Sequence, residues 1–152
     1  MKLAEALILR ADTKTRIAQL RERLKNNAKV QEGETPTQDP QEVLRESEDA
    51  MAQMLVLIQR INRTNCQTPF TDGETLADAL ARRDVLKGRV ATFRLLVEAA
   101  SLKVDYYTRT EIKTVATIDV RATQRQVDNL SKELRELDTR VQGLNWTVDL
   151  VE

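Results

Sequence analysis

Arg63 stands between Asn62 and Thr64-Asn65, and Asp72-Gly73 follows a few residues on. A guanidinium flanked by amides is an arrangement that grips a carboxylate or phosphate while the amides orient it. The competing use is local: Asn and Thr end helices and shape the turn that follows, and residue type alone favours that use. Arg82-Arg83-Asp84 presents a second pair of cations. These either hold an anion or make a salt bridge, within the chain or between subunits, and the salt bridge is favoured. Asn62, Arg63, Asn65 and Arg83 are therefore the candidate polar residues for an anion. Tyr106-Tyr107, close to Arg109, can stack a nucleobase. Tyrosines so placed more often cover a sheet edge or an interface between copies. Trp146 reads as a core anchor rather than a ligand platform.

Much chemistry is absent from the residue list. The chain has no histidine and a single cysteine, Cys66. Without histidine the commonest general base, metal ligand and pH switch are missing. Cys66 alone makes no intrachain disulfide and reads as a reduced thiol. No Gly-Lys-Ser/Thr phosphate loop, dinucleotide fingerprint or Asp-rich calcium loop occurs. No nucleophile–base pair can be named. The expectation is a protein that is not an enzyme, with no catalytic residue, metal or cofactor.

Composition points to assembly. In 152 residues, charged side chains make up 32% and aromatics 3%, a balance that suits long solvated helices better than a thick globular core. Lys and Arg total 24 against 24 Asp and Glu, so no overall polycation points to nucleic acid. Locally the charge is uneven. Lys2, Arg10, Lys14, Arg16, Arg21, Arg23, Lys25 and Lys29 make the first segment basic, and residues 31–50 are acidic apart from Arg45. Such opposition helps neighbouring antiparallel helices register. No apolar run reaches the roughly 18–20 residues of a membrane span, and no signal peptide is visible, so a cytoplasmic protein without membrane partners is expected.

Periodicity supplies the elements. Val120, Val127, Leu130, Leu134, Leu137, Val141 and Leu144 recur at steps of three and four, interrupted only by Thr123, a heptad seam for a partner helix. Four helices are predicted, at about 2–29, 40–65, 75–103 and 119–143, in a single domain. Arg10–Arg16 interrupts the first, leaving a polar middle that is exposed or packed on polar groups. Asp39, Pro40 and Glu42 cap the second. Its Met51–Ile61 stretch is apolar on every side, which predicts burial by more than one neighbour. Pro69–Gly73 reads as a turn, and Thr75 with Asp78 opens the third helix. Gly88 within it suggests close packing. The β-branched run from Thr110 to Val120 favours a strand, with Thr108 and Glu111 as an alternative capping box. Asn145–Leu150 alternates and can pair with it. The fold class is thus mainly α: long antiparallel, coiled-coil-like helical hairpins with a small β element near 108–118 and 146–150.

Several segments together resemble the septicolysin-like family of small bacterial proteins: residues 1–7, Arg60–Asn65, Asp72–Asp84, Glu111–Lys113, Leu130–Leu134 and Asn145-Trp146. That resemblance implies a long-helix homo-oligomer, up to a hexamer built from dimers, and carries over no catalytic residue. The cytolysin activity in the family's label fits poorly with so few aromatics. Leu130–Leu137 also looks like the helical tRNA-binding arm of seryl-tRNA synthetases. The leading expectation is a structural homo-oligomer with Met51, Met54, Leu55, Ile58, Leu130, Leu134, Leu137 and Val141 as candidate interface. RNA binding through the basic first helix is the alternative.

Overall fold

The computed structural model describes residues 1–71, 73–101 and 114–152. Its helices are α1 (Leu3–Asn27), α2 (Pro40–Gln67), α3 (Leu76–Ser101) and α4 (Val120–Thr147), with strands β1 (Pro69–Thr71) and β2 (Glu74–Thr75) between α2 and α3. The protein is mainly α, as its periodicity predicts. Internal contacts divide the described residues into two compact units: Met1–Ala77 with Gly143–Glu152, and Asp78–Gln142.

In the first unit α1 and α2 form an antiparallel hairpin. Glu5 accepts the Lys2 amide at 2.7 Å to start α1. Gly33, at φ +91°, turns the chain after α1. Asp39 then caps α2 by accepting the Gln41 amide at 2.9 Å, with Pro40 in the first turn. Arg23 reaches Gln38 at 2.8 Å and Glu46 at 3.2 Å, so the end of α1 lies beside the start of α2. Between the helices Ile17, Leu20, Val43 and Ala50 are buried, with Leu24, Met51 and Met54 packed on them. The polar middle of α1 is exposed except for Thr13, which is buried with its hydroxyl donating to the Leu9 carbonyl at 2.7 Å. Neither open alternative is complete on its own: charges face water while one satisfied hydroxyl faces inward.

The small β element is not where the sequence places it. β1 and β2 pair antiparallel across Gly73, whose φ of +79° the turn requires. Residues 114–118 form no strand, and 108–113 lie outside the described residues, as do the 106–107 tyrosines. The tail does pair, through a bridge from Asp149 to Lys2 at the start of α1. Gly143 fails to end α4 because one glycine costs only about 1 kcal/mol in a helix of this length. α4 therefore consumes Asn145–Thr147, leaving Val148–Glu152 as the extended segment.

In the second unit Arg83 reaches Asp138 and Arg94 reaches Ser131, each at 3.3 Å. Advancing along α3 while retreating along α4, these pairs make a second antiparallel hairpin. Asp119 starts α4 by accepting the Ala122 amide at 2.9 Å. The seam is consumed here: Val127, Leu130, Leu137 and Val141 are buried and Leu134 is half-buried.

Candidate interaction surface

The predicted anion cluster is built into the fold instead of being left open. Near the end of α2, Arg60 donates to the Val151 carbonyl at 3.0 Å and Arg63 donates to the backbone oxygen of Glu152. Thr64, wholly buried, donates to the Arg60 carbonyl at 2.7 Å and accepts the Val151 amide at 3.0 Å. Two further backbone bonds, Leu3 N–H to Val148 O at 3.0 Å and Leu150 N–H to Met1 O at 2.9 Å, tie the tail to the start of α1. Lys2 completes the clasp with Asp149 at 2.8 Å. Its hydrogen bond and charge hold the Asp149 carboxyl below the usual carboxylate range. The polar residues of this stretch therefore anchor a backbone tail, which answers the same donor chemistry a carboxylate would. Asn62 is exposed and Asn65 half-buried beside them.

The clasp turns on one hydroxyl. Thr64→Val keeps the volume but leaves the Val151 amide without its acceptor, so it is expected to cost about 1–3 kcal/mol. Urea unfolding measures that loss. Faster exchange of the Val151 amide with unchanged α1 exchange locates it; an unaltered midpoint would mean the hydroxyl is not the anchor.

Arg83 belongs to the second unit and has its own partners. It lies 3.3 Å from Asp138 and 3.6 Å from Asp84, with only 21% of its side chain exposed. Further along the same pair of helices, α3 and α4 leave an open groove of about 510 Å³. Arg94, Arg135, Glu98 and Asp128 line it, and Arg94 and Gln124 are engaged with Ser131 and Asp128. Mixed charge of this kind selects no ligand class. Among the described residues no cluster of three or more His, Cys, Asp or Glu is placed to hold a metal, and no helix is long and apolar enough to cross a membrane. Cys66 is exposed.

Apolar exposure is the stronger feature. Met51–Ile61 is not buried on every side within the chain: Leu55 is 57% exposed, Val56 52% and Ile58 37%, whereas Leu57 and Ile61 are buried. One antiparallel partner covers one face of a helix, so apolar residues on its other faces stay open. α3 repeats the arrangement with Val85, Leu95 and Leu96 exposed. Gly88 lies on that outer side, and a methyl group added there would meet nothing within 4 Å among the described residues beyond its own helix backbone and chain neighbours, so no close packing is seen there. Trp146 is 59% exposed, not a core anchor. It falls five residues beyond buried Val141, roughly 140° round the helix. Of the candidate interface residues, Met51 and Met54 are half-buried, Leu55 and Ile58 face outward, and the α4 seam is turned inward.

A family model for a family of unknown function, DUF6847, matches residues 10–150. A functionally unknown conserved protein from Corynebacterium diphtheriae, known from its crystal structure, is similar along its length. It is 42% identical, with 99% of each chain covered and a TM-score of 0.94. No curated protein matches the chain. These findings overturn the resemblance to the septicolysin-like family and to the seryl-tRNA synthetase arm, so the hexamer and the cytolysin activity implied by the first of those names lose the resemblance that carried them. Short charged heptads such as 130–137 recur wherever two helices pack, which is why they mislead. With the match spanning nearly all of its length, the chain belongs to the family of unknown function DUF6847.

Proposed function

We propose that the protein has a structural rather than catalytic role, exercised as a homo-oligomer of long helices. The observation that carries this reading is the open apolar face of α2, where Leu55, Val56 and Ile58 meet solvent in the single chain. Contiguous apolar side chains of this size on a charged helical surface mark an association site. The described polar clusters are compatible with that role, because Arg23, Arg60, Arg63 and Arg83 are all engaged in holding the chain's own elements.

Size-exclusion chromatography with light scattering tests it. A mass of at least twice the 17.3 kDa chain is expected at micromolar concentration. A monomer throughout that range would end the reading.

A further inference from the structure

α2 carries two apolar rows, and only one is used inside the chain. Val43, Ala50, Leu57 and Ile61, with Ser47 and Thr64, are the buried row. One position further round, Leu44, Met51, Leu55 and Ile58 repeat at heptad spacing, with Glu48 and Asn62 in register. Leu44, Leu55 and Ile58 are exposed and Met51 is half-buried. A second heptad row on a helix that is already paired is the seam for another helix.

Charge selects which helix. The first half of α2 carries Glu42, Glu46, Glu48 and Asp49 against Arg45 alone, and the second half carries Arg60 and Arg63 with no acid from Ala50 to Gln67. Laid parallel on itself, this helix sets acid on acid and base on base. Laid antiparallel, it is its own complement. We infer that the outer row of α2 pairs with the outer row of α2 in a second copy, antiparallel about a two-fold axis at Leu55. The inference rests on the self-association reading above and gives it a geometry.

The register follows from the axis, because residues whose numbers sum to about 110 lie level. Leu55 meets Leu55 of the second copy, and Ile58 falls against the small, exposed Ala52. Glu48 and Asp49, both exposed, lie one and two residues from the level of Arg63, and the two-fold repeats that contact. Such self-complementarity fixes orientation as well as adding attraction. Arg63 donates to Glu152 within its own chain, yet a guanidinium has five N–H groups and can serve both partners. Leu44 is brought level with Cys66 of the second copy, whereas the two Cys66 thiols stand on the order of 33 Å apart along the helices.

Cysteine cross-linking reads this register. Under mild oxidation Leu44→Cys, with native Cys66 retained, is expected to give disulfide-linked dimers. Leu44→Cys/Cys66→Ser and the unmodified protein should stay unlinked. Within one chain positions 44 and 66 are also about 33 Å apart, so the link can form only between copies. Leu55→Cys/Cys66→Ser, at the axis itself, should link as well. All substituted positions are exposed, and retained helical circular dichroism confirms folding. A dimer by light scattering that links at neither site overturns the antiparallel register while self-association stands. Linking through Cys66 alone, or by Leu44→Cys/Cys66→Ser, shows parallel pairing and overturns it equally. A monomer overturns both readings.

Discussion

Leu20→Ala is expected to lower the unfolding free energy by about 3–5 kcal/mol. Leu20 is 1% exposed and sits with Ile17, Val43 and Ala50 where α1 meets α2. The substitution removes apolar volume from a cluster where this hairpin excludes water, and two long helices cannot close on the hole without disturbing the Arg23–Glu46 contact beside it. Domains of this size are stable by only about 5–15 kcal/mol, so the loss is a large share of the total. It should appear as a melting temperature lower by roughly 6–20 °C. Urea unfolding should show a lower midpoint at an unchanged slope. A loss under about 1 kcal/mol would mean that the hairpin tolerates the hole and that its stability lies elsewhere.

The same residue shows what local spacing makes legible. Leu20 belongs to a spacing of Ile17, Leu20 and Leu24 that any amphipathic helix must have, and α1 forms where that spacing places it. Asp39-Pro40 and Asp119 likewise mark helix starts, because a carboxylate accepting free amides is a local event that needs no tertiary contact. Periodicity says which residues share a face; it does not say what covers that face. The α4 seam and the outer row of α2 look alike in sequence, yet one is buried within the chain and the other is exposed. Trp146 departs from expectation for a related reason: its apolar size suggests a core, but its angular position beyond Val141 decides otherwise.

The candidate site is legible in part. Arg63 and Arg83 stand out in the sequence as groups seeking acceptors, and each has one: a backbone oxygen of Glu152 for Arg63 and the Asp138 carboxylate for Arg83. That Arg63 receives the backbone of Glu152, far along the chain, is not visible there, because contacts between distant segments leave no trace in local spacing. Thr64 reads in that cluster only as a helix-ending residue, and its anchoring role is hidden for the same reason. Its only sign is a place in the buried row, Leu57–Ile61–Thr64, where a hydroxyl needs a reason to be.

The outer row of α2 separates folding from assembly, and Leu55→Asp is where that separation should be largest. Leu55 is 57% exposed in the single chain, so the carboxylate is solvated there and helix propensity is the only loss, about 0.7 kcal/mol or less. At a two-fold axis the effect is different. Two leucines leave the interface together, each having contributed roughly 1.5–3 kcal/mol by burial. Two carboxylates then face each other where the chains were to meet. The dissociation constant should rise by about 10²–10⁴-fold, from roughly 3–6 kcal/mol of lost burial. Light scattering across a concentration series should show monomer where the unmodified protein is dimeric, with helical circular dichroism and thermal midpoint of the monomer preserved. Leu20→Ala should do the reverse, costing stability at every concentration. If Leu55→Asp instead left the dimer intact, the two-fold could not lie on this row, and the acid-to-base gradient along α2 would have to answer to another surface.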